Sequence, residues 1–291
     1  MSSITPKNIT VNYKFKEPKC AASGAQIDMI ASGCLHAPYH HEFSVNKLID
    51  YAKSITKKNS SPVLVLNGDN VTLDSVSRFA SGNPVTVAQE LTVLSEIFDK
   101  LSPVFSQIIV LEGNHENRLN KYFVRQTNGL LCGTAKMLDL LELICTTRLA
   151  VGKDGNLIEN GTRPKGRFIH PKGGLYNTII LGDVVIAHVD RGGTQLGSTA
   201  RAFEKWAHDI GIKYSMAIVN HNHRVFKHYT KDHLPVFEAG CLCDVQNYAR
   251  RKYYGSQQTG FVHFKMVKTS KGYLYVPDSA IEKEIGRFII E

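Results

Sequence analysis

The sequence predicts an α/β fold built on a mostly parallel sheet, with a second sheet supplied by the later part of the chain. Three observations carry this expectation. An apolar run, a polar loop and an amphipathic segment follow one another three times between residue 27 and about residue 123. Alternating strands and helices of this kind imply a mostly parallel sheet. Each apolar run ends in residues able to bind metal, at the sheet edge where ligands sit in such folds. Beyond about residue 175, short β runs separated by turn signals replace the helical spacing.

The elements follow in order. Residues 1–25 read as an N-terminal arm, closed by Ala22-Ser23-Gly24, and residues 26–291 as a single domain. Ile27–Ser32 is the first core strand and runs into a loop holding Cys34, His36, His40 and His41. Phe43–Lys57 is helical, with Val45, Leu48, Ile49 and Ala52 on one face. Pro62–Leu66 is the second strand and ends at Asn67-Gly68-Asp69-Asn70. Asn83-Pro84 opens a helix whose stripe is Val87, Leu91, Leu94, Phe98 and Leu101, and Ser102-Pro103 stops it. Ile108–Leu111 is the third strand, leading through Gly113-Asn114-His115-Glu116 into a helix that starts at Arg118. Residues 130–147 read as helical, and residues 151–174 as a Gly- and Lys-rich excursion containing Arg163, Lys165, Arg167 and Lys172.

Tyr176–Leu181 and Val184–Ala187 form a hairpin about Gly182-Asp183 and deliver His188. Ser198–Gly211 is a helix. Ser215–Val219 is a strand ending at Asn220-His221-Asn222-His223. Further β pieces are expected at 225–229, 234–237, 260–266 and 273–276.

The 291 residues, 43% of them hydrophobic, suffice for a substantial core. The formal charge of +9 favours anionic partners such as nucleic acid or phosphate esters. Six scattered cysteines without a Cys-x-x-Cys pair suit a reducing, cytoplasmic setting. Neither a membrane span nor an apolar signal core is visible. Arg250-Arg251-Lys252, interleaved with Tyr248, Tyr253 and Tyr254, would suit a phosphate backbone with stacked bases, and suits a solvated loop equally. Cys241 and Cys243, at Cys-x-Cys spacing, read as core packing.

The strand ends collect Cys34, His36, Asp69, Asn114, His188, His221 and His223. Nitrogen and oxygen donors with one thiol suit manganese, iron or zinc. A carboxylate such as Asp69 has two oxygens and can bridge two ions. Two ions about 3.5–4 Å apart orient a phosphoryl group and activate a water.

This order of motifs resembles the calcineurin-like metallophosphoesterases. Their pattern is Asp-x-His, Gly-Asp, Gly-Asn-His-Asp/Glu, a later His, and Gly-His-x-His. Here it stands as Cys34-Leu35-His36, Gly68-Asp69, Gly113-Asn114-His115-Glu116, His188, and Asn220-His221-Asn222-His223. The resemblance implies a four-layer αββα sandwich of two mixed sheets and two divalent transition-metal ions (Mn2+, Fe2+ or Zn2+). It implies that Cys34, His36, Asp69 and His223 hold one ion, and Asp69, Asn114, His188 and His221 the other. It further implies hydrolysis of a phosphate ester by a metal-bound hydroxide, with Asp69 and Asn114 in the catalytic centre and His115 protonating the leaving oxygen. Arg118, Arg201 and His40 are the candidate substrate contacts.

Gly113–Leu119, Ser198–Arg201, Gly240–Asp244 and Gln258–Phe261 look like metallophosphoesterases carried by bacteriophages, which would place the protein in a host cytoplasm. Cys34 in place of the usual Asp is similar to the RNA lariat debranching enzymes, which read Gly-Cys-x-His there. A phosphodiesterase or nuclease is therefore the expected activity. A protein or small-molecule phosphomonoesterase, or a non-catalytic scaffold of the same fold, are the alternatives. The sequence leaves the oligomeric state open.

Overall fold

The computed structural model describes residues 24–57, 60–77, 85–126, 140–171, 177–193, 195–245, 257–270 and 272–288. The N-terminal arm up to residue 23 and the basic run at 250–252 lie outside them. The helices are α1 (Glu42–Ile55), α2 (Val87–Leu101), α3 (Asn117–Gln126), α4 (Leu140–Thr146) and α5 (Ser198–Ile210). The strands are β1 (Gln26–Ser32), β2 (Val63–Asn67), β3 (Gln107–Leu111), β4 (Thr147–Val151), β5 (Leu157–Thr162), β6 (Phe168–Ile169) and β7 (Thr178–Leu181). They continue with β8 (Val184–His188), β9 (Met216–Asn220), β10 (Val225–Tyr229), β11 (Pro235–Ala239), β12 (Gln257–Thr269), β13 (Gly272–Tyr275) and β14 (Ile281–Phe288).

Two mixed sheets face each other. The larger runs β13-β12-β1-β2-β3-β6, with β14 also paired to β12; the smaller runs β10-β11-β9-β8-β7. In the first, β1, β2, β3 and β6 are parallel and β12 is antiparallel to β1. In the second, β8, β9 and β11 are parallel, flanked by antiparallel β7 and β10.

Strand alternation assigns the layers, because successive side chains point to opposite faces. Met29 and Ala31, Val63 and Val65, and Ile109 and Leu111 meet Val184, Ile186, Met216 and Ile218 between the sheets. Ile30, Leu64, Leu66, Ile108 and Val110 turn outward onto α1, α2 and α4. Val185, Ala187, Ala217 and Val219 turn onto Ala200, Phe203 and Ala207 of α5. The four layers are thus helix, sheet, sheet and helix, as the resemblance implied.

The early elements match within a residue or two except at the start of α2, which begins at Val87 on a Thr86–Gln89 capping box rather than at Asn83-Pro84, which lie outside the described residues. Two regions differ. The stretch expected to be helix and then loose excursion contains a projecting hairpin, β4 with β5. Its first strand, Thr147-Arg148-Leu149-Ala150-Val151, alternates only weakly because just Leu149 is buried. The final strand β14 was not anticipated, since Ile281–Phe288 lies at an edge and is rich in charge. No helix among the described residues is long and apolar enough to cross a membrane.

Glu90 of α2 is fully buried and accepts the backbone N–H groups of Leu73 and Asp74 at 2.5 and 3.2 Å. Burial outweighs these bonds and lifts its carboxyl to about 7 from an ordinary 4.5. A raised carboxyl favours the fold when protonated, so this contribution is full below pH 4.5 and is lost as pH rises through about 7. The stability of the wild type relative to Glu90→Gln is expected to fall across that window. Thermal unfolding of both proteins at a series of pH values reads it, and a constant gap would contradict the assignment.

Candidate metal centre

The seven donors singled out in the sequence lie at the carboxyl ends of β1, β2, β3, β8 and β9. Parallel strands put these ends on one edge of each sheet, and the sheets face each other, so five separate loops converge.

The loops are tied by a few buried polar groups. Glu116 is 7% exposed and accepts N–H from Asp69 (3.2 Å), Asn70 (2.5 Å), Val71 (3.3 Å) and Gly113 (2.7 Å). It binds the β2 and β3 loops together. The loops approach so closely that a Cβ on Gly113 would stand 2.2 Å from Asp69 Oδ1. Asn220, which replaces the glycine of the resembling pattern, does more than alter a turn. Its Oδ1 accepts from Asn67 Nδ2 at 2.9 Å and its Nδ2 donates to the Gly240 carbonyl at 2.7 Å. Asn67 also donates to the Ala187 carbonyl at 3.0 Å, joining the two sheets beside His188. Glu238 accepts from Ala200 N and Asn222 Nδ2 at 2.9 and 3.0 Å, fixing the His221–His223 loop to the start of α5. The sequence marked none of Asn67, Glu90 or Glu238; their one signal was a polar side chain beside an apolar run.

The Asp69 carboxylate, 2% exposed, sits between the two groups of donors. Its Oδ2 is 3.1 Å from His188 Nε2 and 3.8 Å from His36 Nε2, while Oδ1 accepts the His115 backbone N–H at 2.9 Å. On one side, Cys34, His36 and His223 bring their ligand atoms within 4.8 Å of one another. The Nε2 atoms of His36 and His223 face each other at 3.2 Å. Two nitrogens bound to one tetrahedral zinc would lie about 3.3 Å apart. On the other side, Asn114 Oδ1 lies 3.1 Å from both His188 Nε2 and His221 Nδ1. Donor type and spacing therefore fit two transition-metal ions sharing Asp69.

The electrostatics suit cations. Burial drives His36 well below the usual imidazole range, lowers His221, and brings His223 to about 4. Those rings keep lone pairs available at neutral pH. Burial opposes charge on His188 too, but the adjacent Asp69 carboxylate lifts it to about 9. Burial likewise works against the Asp69 charge, yet His188 and His115 hold it well below the usual carboxylate range. Burial, with Asp69 beside it, pushes the Cys34 thiol up. Cys34, His36, Asp69 and His223 have φ of 52°, 49°, 51° and 56°. Each such non-glycine residue costs of order 1–3 kcal/mol, a strain that gathers at functional sites.

His115 lies against this cluster, its ring 4.4 Å from that of His36. Its Nδ1 faces the Thr72 carbonyl at 3.0 Å, and Arg118 Nη2 reaches its Nε2 at 2.9 Å. Arg118 also donates to the Thr72 carbonyl at 2.8 Å, so it is brought to the site. The other two expected substrate contacts are turned to local partners. His40 meets Glu42 at 3.1 Å, and Arg201 donates to the Leu196 carbonyl at 3.1 Å.

No protein-family model and no curated protein matches the sequence. Similar solved structures include an archaeal phosphodiesterase at 13% identity, covering 89% of this chain and 100% of the other, with a TM-score of 0.40. A metallophosphoesterase from Sphaerobacter thermophilus is 9% identical over 90% of each chain, with a TM-score of 0.43. Vacuolar Protein Sorting 29 from Cryptosporidium parvum is 11% identical over 92% of this chain and 100% of the other, with a TM-score of 0.42. Likeness at this level decides nothing about chemistry, which rests on the geometry above.

Asn220→Gly would put the glycine of the resembling pattern into the chain and remove the inter-sheet bond from Asn67 together with the bond to the Gly240 carbonyl. A loss of about 1–3 kcal/mol is expected, the cost of buried polar groups left unpaired. Denaturant unfolding measures it, and an unchanged midpoint and slope would show that the Asn220 bridge carries no stability.

Proposed function

We propose that the protein is a metal-dependent phosphoesterase that hydrolyses a phosphodiester. The observation that carries the reading is the buried Asp69 carboxylate, set between Cys34–His36–His223 and Asn114–His188–His221. In this reading residues 26–291 act as one domain, a view supported by the pairing of β1 with β12 across most of the chain. Bound at these residues, two divalent ions would supply an activated water and Lewis acidity toward the phosphoryl oxygens.

The chain's own groups supply the rest. Arg118 presents a planar fork of donors suited to phosphate oxygens. It donates to His115 Nε2, so that ring is neutral, with its proton on Nδ1 toward Thr72. Burial, with the charge of Arg118, presses His115 down to about 3 against the pull of Asp69. An arriving phosphoryl group draws Arg118 away and sets negative charge beside the ring. Nε2 then takes up a proton from solvent and delivers it to the leaving oxygen. Glu116 stays out of this transfer, because its oxygens are engaged by the β2 and β3 loops.

Nucleic acid is the favoured diester, supported by the charge of +9. That support is thinner than the total suggests, because part of the basic excess is structural. Arg163 is buried against Asp99, Ser95 and the Ile144 carbonyl, and Arg167 donates to the carbonyls of Phe105 and Ser106. The likeness to phage enzymes, and that of Cys34 to lariat debranching enzymes, remains a resemblance of short motifs.

Asp69→Asn is expected to abolish hydrolysis of a chromogenic diester while circular dichroism stays native. Wild-type turnover by this variant under saturating metal would end the two-ion reading. Cys34→Asp is expected to retain activity and shift metal preference from zinc or iron toward manganese, a harder ion; metal analysis after competition reads the shift.

His115→Ala is expected to slow alkyl phosphodiesters by about 10²–10⁴-fold and p-nitrophenyl esters much less, since a good leaving group needs little protonation. An equal loss on both substrates would remove His115 from the acid role.

A further inference from the structure

His223 has two faces. Nε2 points at His36, toward the centre already described. Nδ1 points the other way, toward Cys243 and Gln257, with Cys241 beside them. Nδ1 lies 3.9 Å from Cys243 Sγ and 3.3 Å from Gln257 Oε1. The ligand atoms of His223, Cys241 and Cys243 all fall within 4.8 Å of one another. Both cysteines are reduced and fully buried, and Gln257 is 4% exposed.

The Gln257 amide is already oriented. Its nitrogen donates to the Cys243 carbonyl at 2.7 Å, which leaves Oε1 directed at the imidazole. The cysteines are placed by backbone pairing. Cys241 exchanges bonds with Gln258 and Gly260 at 3.1 and 3.0 Å, and Cys243 forms a bridge with His40. A tetrahedral zinc would separate nitrogen and sulfur ligands by about 3.6 Å. The observed 3.9 Å needs a shift of only a few tenths of an ångström.

We propose that His223 Nδ1, Cys241 Sγ, Cys243 Sγ and Gln257 Oε1 form a separate site for one thiophilic divalent cation, zinc or cadmium. Two thiolates neutralise the ion, as burial of a dication requires. The two thiol protons leave to the buffer, and so does the Nδ1 proton that His223 donates to Gln257 Oε1; with the neighbouring centre filled, the ring bridges the two ions as an imidazolate. Sulfur and imidazole donors select soft ions and discriminate against magnesium and manganese. The site does not depend on Asp69 or on turnover. Its occupant shares a ring with the neighbouring centre, so the two are coupled through His223. Cys241 and Cys243, which the sequence presented as packing, thereby gain a ligand.

The test uses the full chain, saturated with Mn2+ and then titrated with Cd2+. The expected result is one cadmium per chain with a sulfur-to-metal charge-transfer band in the ultraviolet. Cys241→Ser and Cys243→Ser should each weaken it on the order of 100-fold or more, beyond the 10–100-fold cost of losing an outer partner of a ligand. Asp69→Asn and Cys34→Ser should keep the band, so collapse of the phosphoesterase reading leaves this result standing. Serine in so dry a pocket can unfold the chain, and cadmium-soaked wild-type crystals give a second readout. An anomalous peak bonded to both Cys241 and Cys243 supports the site. A peak bonded to Cys34 without them overturns it, as does the absence of a charge-transfer band in the wild type.

Discussion

The edge that carries the candidate site depends on one buried carboxylate whose oxygens are taken up by the backbone. Glu116 gathers backbone N–H groups from the loops after β2 and β3. Adjacent parallel strands end side by side, and their terminal amides would otherwise be buried without partners. Satisfying them with one side chain fixes Asp69 and Asn114 relative to each other and aims the His115 N–H at Asp69 Oδ1. Burial raises Glu116 to about 7, and Asp69 adds to that rise, while the bonds from Gly113 and Asn70 oppose it. The arrangement is costly and tightly determined, as a site that must hold several donors in fixed positions requires.

The second constraint joins the sheets. The donors from β8 and β9 reach those from β1 to β3 only because the sheets are held in register at this edge. Asn67, Asn220 and the Ala187 carbonyl form that link, and the Gly240 carbonyl at the end of β11 holds the Asn220 amide in place. The apolar layer between the sheets supplies the non-directional part of the attraction, and the amide chain supplies the alignment. Left-handed backbone at Cys34, His36, Asp69 and His223 is sustained by the same surrounding bonds.

Charge in this protein is spent in two ways. Arg163 illustrates the structural use: it lies over the rings of Phe98 and Phe168 and reaches Ser95 and Asp99. Arg118 illustrates the other, standing beside His115 where an anion can claim it. A net charge counts both kinds alike, and for that reason composition indicates a class of partner more reliably than a binding surface.

The sequence by itself determined the strands, the helices and the donors. Apolar runs ending in Asp69 or Asn114 are local signals, as is the α2 stripe of Val87, Leu91, Leu94, Phe98 and Leu101; the Thr86–Gln89 capping box that starts the helix was not read. The alternation of β1, β2 and β3 side chains between the two cores then follows from the pleat. The sequence could not reveal β14, whose edge position removes the need for an apolar face. Nor could it find the projecting hairpin, where Leu149 is the one buried side chain of β4. Tertiary structure alone decided that Glu116 serves the loops rather than His115, and that Asn220 bridges sheets. It also decided that His223 turns Nδ1 toward Cys241, Cys243 and Gln257. These depend on contacts between residues far apart in the chain, and spacing along a sequence carries no record of which buried donors a given carboxylate, amide or ring will meet.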